Sequence, residues 1–239
     1  MLDQKVMKML RESPLLKDLE EDLIVQIANS GRQVVMKGRY GRIDKSDLSR
    51  RLYFVASGEM RMLRMAPDGQ EHLLQRVKAG EFFCLSAISS GHGCNNIMVS
   101  SGRVELVCWG HDTFRSFIQD NPGFHHNVLS QMAWQIEQER EMRALSRCCK
   151  ADVRVAAYLL HKIKHGCCLR ECLRMLDVRP LSLTAQELGI ARETLSRSLQ
   201  RLVKKNVISY DHGQVRVADI LALEAVIEES ECACQRVAG

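Results

Sequence analysis

A glycine-centred break between two helical patterns constrains this chain of 239 residues more than any other feature. The first pattern ends at Leu188, the break is Gly189-Ile190-Ala191, and the second pattern runs from Arg192 to Val203. Glycine accepts the positive φ that a sharp reversal after a helix requires. Two short helices joined by such a turn form a helix-turn-helix, which we therefore predict here.

The side chains around the break fit the packing of that motif. Ser182 stands where an N-cap of the first helix is expected. Ala185 is small enough to let the two helices approach closely. Ile190 and Leu195 are placed to fill the wedge between the helices.

A β-hairpin pattern follows the second helix. Two short runs at 206–210 and 214–217 flank Asp211-His212-Gly213, a sequence of the kind that joins hairpin strands. A hairpin at this position makes the winged form of the helix-turn-helix.

The second helix carries five basic residues against the single acid Glu193: Arg192, Arg197, Arg201, Lys204 and Lys205. A solvated helix face would have the same composition. A recognition helix, however, meets base edges with its N-terminal residues. We therefore assign base contacts to four residues in its first turn and a half: Arg192, Glu193, Ser196 and Arg197. Lys204 and Lys205 lie at the far end, where phosphate contacts hold register. The formal charge of +5 is compatible with a nucleic-acid partner.

The N-terminal half of the chain has a different sequence pattern. The first thirty residues read as helix, with an apolar stripe that ends at Ile27. Between Gln33 and Val107, short β-type runs alternate with turn signals such as Pro67-Asp68-Gly69. Six strands are predicted: 33–36, 51–55, 59–63, 72–77, 96–99 and 104–107. This spacing favours an antiparallel barrel or sandwich.

A long segment without glycine or proline runs from Phe124 to Lys164. Its apolar stripe comprises Val128, Leu129, Met132, Ile136, Met142 and Leu145. Gln135 and Glu139 interrupt the stripe, so both a dimerisation helix and a helix packed on its own barrel fit. Cys148-Cys149 marks the expected join to a second domain. We predict three segments: a sensing barrel domain with an N-terminal helix (1–121), a dimerisation helix (122–147) and a winged helix-turn-helix domain (148–239).

These motifs resemble the CRP/FNR family of bacterial transcription regulators. Residues 188–197, followed by 199–208, are similar to its DNA-binding signature, and 51–59 and 79–83 are similar to its effector-barrel strands. The resemblance spans nearly the whole chain in the family's domain order. It implies an α+β fold with an N-terminal cyclic-nucleotide-binding-like β-barrel (jelly-roll), a long dimerisation helix and a C-terminal winged helix-turn-helix. It also implies a homodimer that binds a double-stranded DNA operator and works with RNA polymerase.

The resemblance also implies which bases are read. In the family, the positions that match Glu193 and Arg197 read a TGA core in each half of a palindrome. Arg192 matches members that read G before that core, and Ser196 matches members that read T, so GTGA and TTGA both remain open. Thr184 and Ser198 depart from the family, which usually has apolar residues at these two positions.

The segment that would hold an effector lacks the cation that a cyclic nucleotide needs. Nucleotide-binding members of the family carry a Glu for the ribose and an Arg for the phosphate here. In this chain no Arg or Lys lies between Gly80 and Gly102. A buried phosphate without a bidentate arginine is poorly paired, so a cyclic nucleotide is disfavoured. We expect a gas-, redox- or haem-linked effector in a pocket with three candidate residues: Cys84, Ser86 and His92.

The identity of any cofactor stays open. Phe82-Phe83-Cys84 resembles a strand of the family's carbon-monoxide-sensing haem activator, although Ser86 replaces a histidine of that protein. The family's iron–sulfur sensors use cysteines near the N-terminus, and none of the ten cysteines here precedes Cys84. Those of the second half are either separate reduced thiols or ligands of zinc or a cluster: Cys148, Cys149, Cys167, Cys168, Cys172, Cys232 and Cys234. A thiol-rich metal or redox protein is therefore a second hypothesis.

Other classes are disfavoured by missing motifs. The sequence has no Gly-rich phosphate loop, no His-Glu-x-x-His and no serine elbow, so we do not expect an enzyme. No stretch approaches the ~18 apolar residues of a membrane span. The first residues lack the apolar segment of a signal peptide. We therefore expect a cytoplasmic protein with reduced thiols and no membrane partner.

Overall fold

The computed structural model describes the backbone of residues 2–37, 41–85, 88, 96–100, 102–148, 150–165 and 175–235. Side chains are described over the same ranges except at 138, 141–148, 164–165 and 229–235. The chain forms two compact units, Met1–Ile136 and Glu137–Gly239, and the boundary between them falls within the longest helix. None of the helices in these ranges is long and apolar enough to cross a membrane.

The first unit is a β-barrel with flanking helices. Its strands are β1 Arg32–Met36, β2 Arg42–Ile43, β3 Arg51–Ser57, β4 Glu59–Met65, β5 Glu71–Lys78, β6 Phe82–Phe83, β7 Ile97–Ser100 and β8 Val104–Gly110. Its helices are α1 Gln4–Glu12, α2 Glu21–Ser30, α3 Lys45–Leu48, α4 His111–Asp120 and the first part of α5 Pro122–Cys148. All six predicted strands are present. β2 and β6 were not predicted because two residues are too few to show a period.

The strands form two antiparallel four-stranded sheets, in the orders β1-β8-β3-β6 and β2-β7-β4-β5. Side chains from both sheets share one interior apolar cluster, which includes Tyr53, Met60, Phe83, Met98 and Leu106. Two sheets closed over a common interior confirm the predicted jelly-roll barrel.

Strands β3 and β8 are buried on both faces, because successive residues of a strand point to opposite sides. Tyr53 and Val55 enter the interior cluster, whereas Phe54 packs with the flanking helices. On β8, Trp109 belongs to the helix side, and its indole N–H donates to the Ile27 carbonyl at 2.6 Å. This bond ties helix α2 to the sheet without leaving a buried polar atom unpaired.

The N-terminal helix prediction needs a correction. The first thirty residues form two helices rather than one, since α1 ends at Glu12 and α2 begins at Glu21. Pro14 disfavours helical backbone at the preceding residue, and Ser13 is accordingly extended. Leu15 and Leu16, in the connecting segment, are almost fully buried in the helix-side cluster.

The second unit contains the end of α5 and a smaller mixed domain. Its elements are α6 Ala151–His165, β9 Met175–Asp177, α7 Leu181–Glu187, α8 Arg192–Lys204, β10 Ile208–Asp211, β11 Gln214–Val217 and α9 Ile220–Gln235. The strands pair antiparallel in the order β10-β11-β9. Strand β9 was not predicted from the sequence. Three residues gave no alternating pattern to detect.

The predicted Ser182 N-cap is wrong. Helix α7 begins at Leu181, and its N-cap is Pro180, which has extended backbone and makes no side-chain cap bond. The proline ring fixes φ at a value from which a helix can begin directly. The polar contact of this region comes instead from Thr184, whose fully buried hydroxyl donates to the Val178 carbonyl at 3.0 Å. That bond explains how a polar residue is accommodated where the family usually has an apolar one.

Candidate nucleic-acid interface

The turn between α7 and α8 is fixed by backbone hydrogen bonds. Gly189 has φ +62°, as predicted. Its N–H donates to the Gln186 carbonyl at 3.1 Å, and the Ile190 N–H donates to the Ala185 carbonyl at 3.0 Å. This pair of bonds is a Schellman motif, which ends one helix and redirects the chain into the next. The two helices thus form the predicted helix-turn-helix.

Helix α8 is held by one buried face. The residues of that face recur at helical spacing and are each at most 1% exposed: Leu195, Ser198, Leu199 and Leu202. They pack with the core of the second unit, which also includes Ala185 and Val207. Because a helix turns about 100° per residue, a fixed buried face also fixes which side chains point outward.

The opposite face of α8 is an exposed polar stripe. Its members recur at spacings of three and four residues and are all exposed: Glu193, Arg197, Gln200 and Lys204. The Arg197 Nε also donates to the Glu193 carbonyl at 3.3 Å, one turn back along the helix. Gln200 was missed by the sequence analysis, which weighed charge more heavily than position on the helix. An exposed amide on this stripe has the donors and the acceptor for base-edge contacts.

The remaining assigned residues flank that stripe. Arg192 is exposed at the first position of α8, and Ser196 is half-buried one turn later. Lys205 is exposed at the C-cap. All six residues assigned to DNA contacts therefore lie on helix α8 or at its C-cap, and five of them are exposed.

Arg201 behaves differently from the other cations of α8. Its guanidinium forms two hydrogen bonds with the Asp152 carboxylate of helix α6, at 2.7 and 2.6 Å. A third bond runs from Arg201 Nη2 to the Ser198 hydroxyl at 3.2 Å. Charge counting on the helix could not reveal this pairing, because Asp152 lies 49 residues away in sequence.

The Asp152 carboxylate titrates below its ordinary range. Partial burial raises its pKa, but hydrogen bonds from Arg201 and Ser198 and the positive charges of Arg201 and Lys205 outweigh burial. The net pKa is lowered, so Asp152 is ionised at neutral pH and its pair with Arg201 is charge-assisted.

The wing is a tight hairpin. Asp211 pairs with Gln214 across a two-residue turn, and both turn residues have positive φ, 44° at His212 and 84° at Gly213. This is the geometry of a type I′ turn. A Cβ on Gly213 would collide with the Arg179 side chain, so the turn requires glycine. The predicted hairpin begins later than expected, at Ile208, because Asn206 has φ +59° and ends α8 in a second Schellman motif.

In the barrel, one of the three candidate effector-pocket residues can be placed. Cys84 is buried in the interior cluster with φ +67°, a conformation unusual for a residue with a side chain. Ser86 and His92 lie outside the described residues. The thiol of Cys108 also belongs to the interior cluster, and the Arg51 guanidinium approaches it at 3.9 Å. Burial raises the pKa of neighbouring Tyr53 above its ordinary value, so its hydroxyl stays protonated.

A phosphate bound in the barrel would need an arginine as its partner. Arg61 and Arg76 are Cα partners on β4 and β5. Their neighbours Met60 and Val77 also pair and belong to the interior cluster, so the two arginines lie on the other face of that sheet.

Metal-ligand geometry does not occur in the part of the chain that the structure describes: no three His, Cys, Asp or Glu side chains are grouped as ligands. Cys149, Cys167, Cys168 and Cys172 lie outside the described residues, and so do the side chains of Cys148, Cys232 and Cys234. The hypothesis of a thiol-bound metal therefore stays a prediction.

Comparison with known proteins agrees with both halves of this architecture. Residues 43–121 match the cyclic nucleotide-binding domain family, and residues 153–226 match the Crp-like helix-turn-helix domain family. The first match covers most of the barrel, and the second covers the helix-turn-helix and its wing.

Individual relatives match over most of this chain. The cyclic AMP receptor protein of Thermus thermophilus is 30% identical over 76% of this chain and 82% of its own length. The nitrogen fixation regulation protein FixK of Bradyrhizobium diazoefficiens is 24% identical over 91% of both chains. The solved structure of FixK2 from Bradyrhizobium japonicum has the same fold, with a TM-score of 0.66 at 16% identity over 82% of this chain and 96% of its own. The chain belongs to the CRP/FNR family of DNA-binding transcription regulators.

Proposed function

We propose that this regulator reads a palindromic operator with TGA-containing half-sites as a homodimer. The observation that carries the proposal is the exposed stripe of α8, which places Glu193 and Arg197 together on the face opposite a fully buried one. A helix presented in this way can enter the major groove with its N-terminal residues at the base edges.

The chemistry of the stripe matches the bases of the proposed core. Arg197 can donate two parallel hydrogen bonds to guanine O6 and N7, and Glu193 can accept one from cytosine N4. Arg192 and Ser196 lie on the flank, where they would favour G or T before the core. Lys204, nearer the C-terminal end, is suited to a phosphate contact.

Dimerisation is proposed through the exposed apolar positions of α5. Leu129 is 55% exposed and Ile136 is 50% exposed, and they are separated by seven residues, which is two helical turns. Met132, in contrast, packs against the helix-side cluster of its own barrel. This part of α5 therefore combines packing on its own barrel with a proposed dimer contact. Val128 and Met132 pack on the barrel, and the exposed Leu129 and Ile136 are available to a second copy.

The barrel is proposed to regulate this dimer through a gas-, redox- or haem-linked effector. Such an effector would shift the population toward the arrangement that presents both recognition helices to DNA. The relatives include proteins named for cyclic AMP. A cyclic nucleotide nevertheless fits this chain poorly, because no Arg or Lys lies between Gly80 and Gly102, and Arg61 and Arg76 lie on the face of their sheet opposite the interior cluster. RNA polymerase is the proposed partner at promoters, in the bacterial cytoplasm.

The base-reading assignment predicts different outcomes for two cations of one stripe. Arg197→Ala removes a bidentate base contact, so operator binding should weaken by about 1–3 kcal/mol with lost preference at one guanine. Lys204→Ala is the matched control, because it removes one charge from the same face. It should weaken operator and scrambled DNA alike and lower the salt slope by roughly one unit. Fluorescence anisotropy with GTGA and TTGA duplexes measures both, and an equal loss on operator and scrambled DNA for Arg197→Ala would contradict the assignment.

The dimer assignment predicts that Leu129→Glu combined with Ile136→Glu gives a monomer. The two carboxylates would have to be buried without partners at the seam, which is strongly unfavourable. Ser130→Glu is the control, since Ser130 is exposed on the same helix, outside the pair defined by Leu129 and Ile136. Sedimentation velocity should show a dimer for the wild type and the control. A double variant that remains dimeric would place the seam elsewhere.

The effector assignment predicts no response to cyclic nucleotides. Titration calorimetry with cyclic AMP and cyclic GMP should show no saturable heat at micromolar ligand, and neither nucleotide should change operator affinity. The missing phosphate-binding arginine is the reason. A saturable signal coupled to tighter DNA binding would overturn this part of the proposal and establish a nucleotide-responsive regulator.

A further inference from the structure

We propose that Arg201 is a positioning residue rather than a DNA contact, and that it fastens the recognition helix to the first turn of α6 through Asp152 and Ser198. This inference rests on the proposed DNA-reading function of α8. It assigns a role to a cation that charge counting would group with the DNA-binding residues, and to a serine that departs from the family pattern.

Arg201 joins the three side chains in one network. Arg201 donates to both carboxylate oxygens of Asp152 and to the Ser198 hydroxyl, and the Ser198 hydroxyl helps to lower the pKa of Asp152. Ser198 is 0% exposed, so its hydroxyl needs these partners. A planar guanidinium held by two parallel bonds has a defined orientation, unlike a lysine at the same place.

The network occupies a different side of α8 from the exposed stripe. Arg201 lies one position from Gln200 and three from Ser198, which places it between the stripe and the buried face. Its guanidinium is turned toward α6. Nε and Nη2 are both engaged, so Arg201 cannot offer a bidentate contact to a base unless it gives up a bond to Asp152 or Ser198.

The position of Asp152 connects the network to the start of helix α6. Helix α5 ends at Cys148 and α6 begins at Ala151, so Asp152 lies in the first turn after the junction of the two helices. The Lys150 carbonyl accepts hydrogen bonds from the Val153 and Arg154 N–H groups, which fixes the start of that turn. A change in where α6 begins is therefore passed directly to the C-terminal half of the recognition helix. The apolar core alone could allow α8 to slide or rotate, whereas the network sets its angle.

The direction in which Asp152→Asn changes operator affinity distinguishes a positioning role from a simple charge effect. Removing an acid close to DNA should strengthen binding if only net charge matters. If Asp152 positions α8, the same change should weaken operator binding by about fivefold to tenfold while scrambled DNA is bound as well as before or better. The specificity ratio should fall accordingly.

A matched control comes from the second bidentate pair of the same unit. Asp177 accepts two hydrogen bonds from the Arg179 guanidinium, both at 2.8 Å, and a third from the Arg179 backbone N–H at 2.9 Å, and neither residue belongs to α8. Asp177→Asn therefore removes the same charge and the same kind of pair. It should leave the specificity ratio unchanged.

Charge reversal tests whether Arg201 itself touches DNA. Arg201→Glu should lose operator specificity, because two acids then face each other. Adding Asp152→Arg should restore operator affinity to within about threefold of wild type, since the pair is re-formed in the opposite sense. No rescue is expected if the cation at 201 contacts DNA, because the double variant has none there. A failed rescue, or an Asp152→Asn variant that binds operator as tightly as wild type, would overturn the proposal.

Hydrogen exchange keeps this test independent of the DNA-reading proposal. Without DNA, Asp152→Asn should speed amide exchange in the last turn of α8, and Asp177→Asn should not. Unchanged amide exchange in the Asp152→Asn variant would contradict the network. A wild-type protein that does not distinguish operator from scrambled duplex would instead contradict the proposed function.

Discussion

The buried face of α8 is the constraint on which the DNA-binding unit depends. Leu195, Leu199 and Leu202 are removed almost completely from water, and two Schellman motifs fix where α7 ends before the turn and where α8 itself ends. Burial of this apolar stripe stabilises the unit and, with the same geometry, decides which side chains remain outside. Packing thus decides which side chains of α8 face outward, and the proposed role of the Arg201–Asp152 pair is to set the angle of the helix.

Polar substitutions inside this core are explained by specific bonds. Thr184 and Ser198 replace residues that are usually apolar in the family, and each is fully buried. Thr184 bonds the chain before α7, and Ser198 bonds the pair between α6 and α8. Such bonds are directional, whereas apolar contacts are not. In the second unit these bonds give two buried polar side chains specific partners within the core.

Much of this architecture could be predicted from local sequence patterns. The six main strands, the glycine turn and the wing each have a signal within a few residues, so their prediction succeeded. The errors have non-local or stereochemical causes. Pro180 starts α7 and leaves no role for a Ser182 cap. Which residues of the α5 stripe pack on the barrel, as Met132 does, depends on tertiary contact. The Arg201–Asp152 pair depends on tertiary contact, which no helical period reveals.

The central claim is that two copies of α8 read a symmetric DNA site. Selection of binding sites from a random duplex pool tests it most directly, because the pool presupposes neither sequence nor spacing. The account predicts enrichment of a palindrome with two TGA-containing halves whose centres lie about 10–10.5 base pairs apart, one turn of DNA. Enrichment of a single unpaired half-site, or of no sequence at all, would contradict it.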